Sequence, residues 1–250
     1  MGSQNDEQDD DLIFFEPSLF LPKAEDYVLE SFEFGGIKQQ LYVSPANSTD
    51  YDLTGTIVWP VAKFLCHYIV SSKEIIKDSH VLELGAGCAL CGLVASQLLP
   101  TSCTLTDGEE LVLKNIDRNI SLSRETMQRG CLTSRLLRWG AETETLEIFK
   151  KSGACLPNLI LGADVFHPSF GDPREVFNLV SELFAGNPGS SFIVGFVDRG
   201  NKTNVFEAAK ECGYGWQNPT PESFLPENLT ASEMSYRKLE IYDFSKKYEL

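Results

Sequence analysis

Hydrophobic and polar positions alternate along the first part of this chain with the period of a strand, and then with that of a helix. Residues 27–34 (YVLESFEF) and 37–43 (IKQQLYV) alternate, and the Gly35-Gly36 pair between them predicts a β-hairpin. From Thr56 to Ser71 the apolar residues fall at helical spacing, and Pro60 suits the first turn of that helix. The hairpin and the helix are therefore joined by a polar loop.

The rest of the chain repeats short apolar strands followed by amphipathic helices. We predict strands at 80–84, 102–106, 132–138, 157–163, 191–197 and 235–244, and helices at 89–99, 109–122, 173–185 and 202–212. Buried strands that alternate with helices are typical of a parallel sheet covered on both faces. The pattern therefore predicts an α/β fold in one continuous domain.

Composition and charge narrow the class of protein. The chain has 250 residues, of which 42% are hydrophobic, and a formal net charge of −15. This acidic balance disfavours direct nucleic-acid binding, because phosphate contacts need clustered Lys and Arg. Residues 1–33 contain ten acids and one base, which accounts for −9 of the total. We expect an acidic, largely disordered tail at 1–26, a hairpin extension at 27–54 and the main domain at 55–250.

No targeting or membrane-spanning segment is evident. The first residues are polar and acidic, and the longest apolar stretches are too short or too interrupted to span a bilayer. We expect a monomeric protein of the cytoplasm, the nucleus or both, with no membrane partner. The seven scattered cysteines then indicate reduced thiols, most of which fill the core. Cys88 and Cys91 stand three residues apart, but without a second pair we favour packing over a metal or redox site.

A glycine turn and an acid mark the ends of two consecutive predicted strands. Gly85, Ala86 and Gly87 follow the first strand, and Asp107 ends the next one, 20 residues after Gly87. Glycines let the backbone turn tightly and approach a ligand, and a carboxylate at that offset suits ribose hydroxyls. The pair predicts a nucleoside-containing cofactor.

Two further observations narrow the choice of cofactor. Position 90 is leucine where a dinucleotide fingerprint needs a third glycine, and no Gly-Lys-Ser/Thr P-loop is present. Glu83 would repel a pyrophosphate but suits a ligand with an ammonium group. S-adenosyl-L-methionine carries an amino group, a sulfonium and a ribose, and no phosphate. We therefore favour it as cofactor, with S-adenosyl-L-homocysteine as the product.

An ordered set of motifs between Gly55 and Phe244 resembles the seven-β-strand S-adenosylmethionine methyltransferases, and within them the protein-methylating group known as methyltransferase family 16. The set comprises Gly55-x-x-x-Trp59-Pro60, VLELGAGCALCGLVA (81–95), TLTDGEELVLKNIDRN (104–119), LLRWG (136–140), LILGADVF (159–166) and Arg199. The resemblance implies a Rossmann-like, seven-stranded class I methyltransferase sheet with helices on both faces and an antiparallel C-terminal strand.

The same resemblance implies roles for individual side chains. Eight residues would contact the cofactor: Glu83, Gly85, Ala86 and Gly87 at the methionine end, Asp107 at the ribose, Trp139 and Trp59 on either side, and Ala163 at the sulfonium. Asp164 would face the target nitrogen and align a Lys or Arg side chain by a charge-assisted hydrogen bond. His167 is a candidate proton acceptor, or equally a structural histidine. Arg199 would either bridge to an acid or order the substrate entrance.

One departure from the family pattern keeps the target residue open. Lysine-specific members usually carry Asp-x-x-Tyr after the fourth strand, whereas this chain has Asp164-Val165-Phe166-His167. The stretch 162–172 is similar instead to a branch without that tyrosine, which is associated with histone arginine methylation. The sequence thus indicates a methyltransferase that acts on Lys or Arg of a protein substrate, a basic protein or a chaperone. Two alternatives stay open: a catalytically silent fold that binds a partner, and a small-molecule methyltransferase.

Overall fold

The computed structural model describes residues 27–45, 51–123, 131–140, 155–184, 189–227 and 239–246, together with the single positions 147, 150, 151, 153 and 187. The acidic tail expected at 1–26 lies outside these ranges. Within them, no helix has both the length and the apolar composition needed to cross a membrane.

The N-terminal segment forms the predicted hairpin. Strands β1 (Val28–Phe34) and β2 (Ile37–Val43) pair in antiparallel register. The two turn residues, Gly35 and Gly36, both have positive φ, which glycine adopts without strain. β2 alternates between buried and exposed positions, whereas β1 is mostly exposed. The hairpin therefore lies against the rest of the molecule through β2.

Seven further strands form the central sheet: β3 (His80–Leu84), β4 (Ser102–Asp107), β5 (Cys131–Leu136), β6 (Leu159–Ala163), β7 (Ser191–Phe196), β8 (Tyr214–Gln217) and β9 (Glu240–Lys246). Their spatial order is β5-β4-β3-β6-β7-β9-β8. Strands β3 to β7 are parallel, and β9 is antiparallel to both of its neighbours. The winding direction reverses between β3 and β6, and open α/β sheets bind ligands beyond the carboxyl ends of the strands at such a point.

Helices cover the two faces of the sheet, and those whose bounds lie in the described ranges are α1 (Pro60–Ser71), α2 (Leu90–Ser96), α3 (Glu110–Ser123), α4 (Pro173–Phe184) and α5 (Lys202–Glu211). The first three share one buried apolar cluster with β2, and the last two share the other with the aromatic side chains of β7 and β9. The predicted fold class, a seven-stranded sheet with helices on both faces, is confirmed.

The structure corrects the sequence prediction most clearly in three places and shifts other element ends by a few residues, as in the predicted helix 89–99, which is Leu90–Ser96. The strand β8 was not predicted, because four residues at the edge of a sheet show no usable alternation. The helix expected from Thr56 begins at Pro60, and residues 51–56 instead form a 3₁₀ helix. The last strand begins at Glu240 rather than at residue 235, and 228–238 lie outside the described residues.

Candidate functional site

The glycine turn after β3 needs glycine at both of its predicted positions. Gly85 and Gly87 have φ of +56° and +53°, the left-handed region that side chains rarely adopt. A Cβ on Gly85 would lie 3.1 Å from the ring of Trp139, and one on Gly87 would lie 3.0 Å from the carbonyl oxygen of Gly55. Between them, the Ala86 N–H donates to a carbonyl of β4 at 2.8 Å. The turn is thus packed tightly from both sides.

Asp107 meets the glycine turn directly. Its Oδ2 accepts a hydrogen bond from the Gly87 N–H at 3.1 Å, and its Oδ1 accepts one from the Glu109 N–H at 3.1 Å. Burial raises the pKa of this carboxyl, although the backbone donors oppose the shift. The structure therefore brings together the two features from which the cofactor was predicted.

Glu83 lies beneath the turn, and its exposed fraction is 2%. Its Oε2 accepts a hydrogen bond from the Gly92 N–H at 2.8 Å, in the first turn of α2. Because Ala89, the N-cap residue, has no capping side chain, this carboxyl from a neighbouring strand fills that role. Desolvation by burial raises the pKa of Glu83 to about 8. A cofactor contact for Glu83 stays a prediction, since its described partner is the helix.

Of the two predicted tryptophans, the structure shows Trp139 in contact with the glycine turn. Trp139 follows β5, and its ring edge lies over Gly85. Phe170, half exposed, packs edge-to-face on Trp139 with ring centroids 5.7 Å apart. Trp59 is 42% exposed, and its Nε1–H donates to the Thr54 carbonyl oxygen at 3.1 Å. It follows the segment whose Gly55 contacts the turn, and a cofactor contact for its ring stays a prediction.

A bidentate ion pair lies at the end of β6, which finishes at Ala163. Both guanidinium NH₂ groups of Arg199 donate to the two carboxylate oxygens of Asp164, each at 2.6 Å. Asp164 itself has φ of +62°, which is uncommon for a residue with a side chain and is typical of functional positions. Of the two interpretations of Arg199, the bridge to an acid is confirmed.

His167 caps the short 3₁₀ helix that follows this loop. Its Nδ1 accepts a hydrogen bond from the Ser169 N–H at 3.2 Å and lies 2.6 Å from the Ser169 hydroxyl. Because Nδ1 is an acceptor here, the neutral ring carries its proton on Nε2. These contacts account for His167 structurally, and its role as a proton acceptor stays a prediction.

Asn119, which the sequence pattern did not single out, connects the glycine turn to the hairpin. Its side-chain amide donates to the carbonyl oxygens of Cys88 at 3.1 Å and Tyr42 at 3.2 Å, and its Oδ1 accepts from the Tyr42 N–H at 2.7 Å. A usable signal was present, because Asn115, Asn119 and Ser123 form a polar row on the buried face of α3.

Four of the seven cysteines are buried as predicted, whereas Cys131 and Cys155 are exposed and Cys212 is partly buried. Cys88 and Cys91 are both buried, and their thiols approach the carbonyl oxygens of Gly55 and Ala62 at 3.5 Å. Among the described residues, no group of three or more His, Cys, Asp or Glu side chains could hold a metal ion.

The donor set at the strand ends fits S-adenosyl-L-methionine better than a phosphate-bearing cofactor. The N-terminus of α2 is where a pyrophosphate would bind in a dinucleotide fold, but the Glu83 carboxyl already occupies it. The turns at 107–109 and 163–167 contribute the acids Asp107, Glu109 and Asp164, and two arginines lie beside them: Arg199 pairs with Asp164, and Arg138 donates to the Gly108 carbonyl oxygen. An ammonium group or a ribose diol can pair with a carboxylate such as Asp107, which would repel a phosphate.

Comparisons with known proteins place the chain among methyltransferases. Residues 40–207 match the family described as lysine methyltransferase. A stretch of 114 residues is 37% identical to protein N-lysine methyltransferase METTL21A of Danio rerio, covering 44% of this chain and 47% of the relative. Over 173 residues the chain is 29% identical to protein-lysine N-methyltransferase EFM3 of Chaetomium thermophilum, covering 68% of this chain and 50% of the relative. The chain thus spans about half the length of these curated relatives.

Solved structures support the fold. The 16S rRNA methyltransferase RsmC of T. thermophilus, in complex with AdoMet and guanosine, matches with a TM-score of 0.55 at 11% identity, over 88% of this chain and 51% of that chain. The O-methyltransferase from Bacillus cereus, in complex with SAH, matches with a TM-score of 0.51 at 14% identity, over 78% of this chain and 85% of that chain. At these identities the likeness concerns the fold alone.

Proposed function

The chain belongs to the lysine methyltransferase family, and from this premise we propose that it is an S-adenosylmethionine-dependent protein methyltransferase that modifies lysine side chains. The observation that carries the proposal is the meeting of three predicted features at one edge of the sheet. The glycine turn follows β3, Asp107 ends β4 and is bonded to that turn, and Asp164 follows β6. Two relatives whose names specify protein lysine methylation support the substrate class.

Each part of the site has a separate task. S-adenosyl-L-methionine, when bound, supplies a methyl group on a positively charged sulfonium. The carboxylate of Asp107 can accept hydrogen bonds from ribose hydroxyls, and the glycine turn lets the backbone approach closely. Asp164 can accept an N–H of the target side chain and so orient its nitrogen. Methyl transfer is an in-line displacement, so such positioning accounts for much of the expected rate enhancement.

Binding of the cofactor product tests the first half of the proposal. Isothermal titration calorimetry should show binding of S-adenosyl-L-homocysteine to the intact protein. Asp107→Ala should weaken it by about tenfold or more, since a charge-assisted hydrogen bond is worth about 1.5–3 kcal/mol. Asp117→Ala, which alters an exposed aspartate on α3, is the matched control and should bind normally. No binding by the folded wild-type protein would overturn the proposal.

Transfer of labelled methyl groups into cell extract tests the second half. We expect incorporation into protein that is lost in Asp164→Ala, and mass spectrometry should locate the methyl groups on lysine. Binding of the cofactor without incorporation under any condition would instead favour the catalytically silent alternative. Incorporation into small molecules only would favour the small-molecule alternative.

Arginine is the second candidate target. The stretch 162–172 resembles the branch named methyltransferase-like protein 23, and His167 takes the place of the tyrosine typical of lysine-specific members. The observation in its favour is that His167 caps a 3₁₀ helix through Nδ1, so the chain builds this corner without a tyrosine hydroxyl. The same mass spectra decide between the two residues.

We also propose a basic protein or a chaperone as substrate and an enzyme of the cytoplasm, the nucleus or both. The net charge of −15 supports a basic partner, because opposite charge steers association. All seven cysteines are free, which supports a reducing compartment. Imaging of the tagged protein in cells tests the location, and the extract experiment above identifies the substrate.

A further inference from the structure

The Asp164–Arg199 pair, here called the strand-end ion pair, is built into two cross-linked loops. The Asp164 N–H donates to the Gly195 carbonyl oxygen at 2.9 Å, and the Asn201 side-chain amide donates to the Phe166 carbonyl oxygen at 2.6 Å. The side chains of Asp164 and Arg199 are 14% and 29% exposed. The pair is therefore held in place from both strands while one side of it still meets solvent.

The ion pair neutralises the negative charge of Asp164 but leaves free lone pairs on both carboxylate oxygens. A carboxylate has about four lone-pair sites, and the two N–H groups of the guanidinium occupy one on each oxygen. Asp164 can still accept an N–H from another group. What such a group meets, however, is a pair with no net charge rather than a free carboxylate.

We propose that Arg199 is a positioning residue that cancels the negative charge of Asp164, so that the site receives the target nitrogen as a neutral amine rather than as a cation. The inference rests on the proposed function. The neutral amine forms a C–N bond to the methyl carbon as the C–S bond breaks and leaves its electron pair on sulfur. The methylammonium product then releases a proton to solvent. A protonated amine has no lone pair for this step, and a free carboxylate would favour that form.

The other charged groups near the strand-end ion pair bond to partners of their own. The net charge at Asp164 therefore depends on Arg199. At the strand ends that adjoin the pair, the titratable or charged side chains include Glu83, Asp107, His167, Asp198, Lys202, Glu240 and Tyr242, whose ring centroid lies 5.5 Å from the Lys202 Nζ. Lys202 and Glu240 pair with each other at 2.7 Å. Asp198 accepts from the Gly200 N–H, and the Nδ1 of His167 accepts from a backbone N–H. Glu83 is buried beneath the turn, and Asp107 is bonded to that turn.

Sinefungin is the probe that tests the charge at this position without a protein substrate. It is an S-adenosylmethionine analogue in which a carbon bearing an amine replaces the methylated sulfonium, so its amine lies where the methyl group and target nitrogen meet. The measurement is the ratio of the dissociation constant of S-adenosyl-L-homocysteine to that of sinefungin, by calorimetry from pH 6 to pH 10. This ratio reports the preference of the site for an ammonium group.

We expect the ratio in wild-type protein to change little with pH. In Arg199→Met the free carboxylate should raise the ratio by about tenfold at pH 7, and this gain should disappear as the amine of sinefungin deprotonates at high pH. Arg199→Lys keeps the charge and should restore the wild-type ratio. Arg174→Met removes a second arginine that makes two bonds to one carboxylate, that of Glu211, and should leave the ratio unchanged.

If Arg199→Met binds S-adenosyl-L-homocysteine normally and keeps the wild-type ratio, the role given to Arg199 is overturned and the proposed function still stands. An equal rise in Arg174→Met would also overturn that role. If Arg199→Met does not fold, Asp164→Asn gives the converse test, because it leaves the guanidinium unpaired and should lower the ratio by about tenfold. An unchanged ratio there contradicts the inference. Failure of folded wild-type protein to bind S-adenosyl-L-homocysteine would overturn the proposed function, and this inference with it.

Discussion

Glu83 is a buried side chain that supports the candidate site through its hydrogen bond to α2. Its carboxyl bonds to the first turn of α2, and Gly92 has no room for a side chain there, since a Cβ would lie 2.7 Å from the Glu83 Oε2. The acid therefore fixes the position of the helix that follows the glycine turn. Burial also makes this contact sensitive to pH, because it raises the pKa of Glu83 to about 8.

Glu83→Gln should change how stability depends on pH. The folded pKa is about 8 and the unfolded value is near 4.5, so the folded state binds the extra proton between these values. The contribution of Glu83 to the free energy of unfolding is thus fully present below pH 4.5 and is lost as pH rises to 8, at up to about 1.4 kcal/mol per pH unit. Glutamine mimics the protonated acid and removes this loss.

Urea unfolding at pH 5, 7 and 9 measures the effect. Wild-type protein and Glu83→Gln should have similar stability at pH 5, and the variant should be the more stable at pH 9. Glu33→Gln, which alters an exposed carboxylate of β1, is the control for the same substitution. A stability difference that is constant from pH 5 to pH 9 would contradict the explanation.

At the scale of elements, α3 is the link between the hairpin and the site. The polar row on its buried face holds β2 through Asn115, Asn119 and Ser123, and the Ser123 hydroxyl accepts from Gln39 at 2.7 Å. Gln97 at the end of α2 also donates to Gln39, at 2.9 Å. The hairpin therefore packs on both helices as part of the same body.

Asn119→Ala should destabilise the protein by about 2–4 kcal/mol. The change removes three hydrogen bonds and leaves buried backbone groups of Tyr42 and Cys88 with fewer partners, each at a cost of about 1–3 kcal/mol. The free energy of unfolding in urea measures the loss. Gln40→Ala removes one exposed hydrogen bond to Ser31 and serves as control, with an expected loss below about 1 kcal/mol. Equal small losses would show that α3 does not fasten the hairpin.

At the scale of the whole molecule, the charge divides unevenly along the chain. Residues 1–33 carry −9 of the −15, so the remainder is only mildly acidic. Most of the acidic segment precedes the motifs that form the site. Its effect on the reaction should therefore be electrostatic and long-range rather than local.

Removal of residues 1–11 tests whether the acidic segment acts on the reaction through long-range electrostatics. Binding of S-adenosyl-L-homocysteine should be unchanged, because the site lies in the body. If basic proteins are the substrates, the initial rate of labelled methyl incorporation should fall at low ionic strength and approach the full-length rate at about 0.2 M salt, where charges are screened. If the truncated protein has the full-length rate at both salt concentrations, the segment does not steer the substrate, and solubility is its remaining role.

The sequence by itself determined the alternation of strands and helices, apart from β8, and the places of the glycine turn, Asp107 and Asp164 at the strand ends. Those features are local: hydrophobic period, a glycine turn that needs positive φ at Gly85 and Gly87, and an acid at the end of the next strand. Parallel strands bring their carboxyl ends to one edge, so local pattern sufficed to bring Asp107 to the turn.

Only the tertiary structure decided which distant residues pair. The bidentate contact of Asp164 joins positions 35 residues apart, and the contacts of Asn119 with Tyr42 span 77. Strand β8 forms because β9 supplies its hydrogen-bond partner, which no pattern within four residues can show. Glu83 likewise meets α2 rather than solvent because the sheet packs against that helix. The physical reason is common to all four: local periodicity records which face is buried, but not which partner is buried against it.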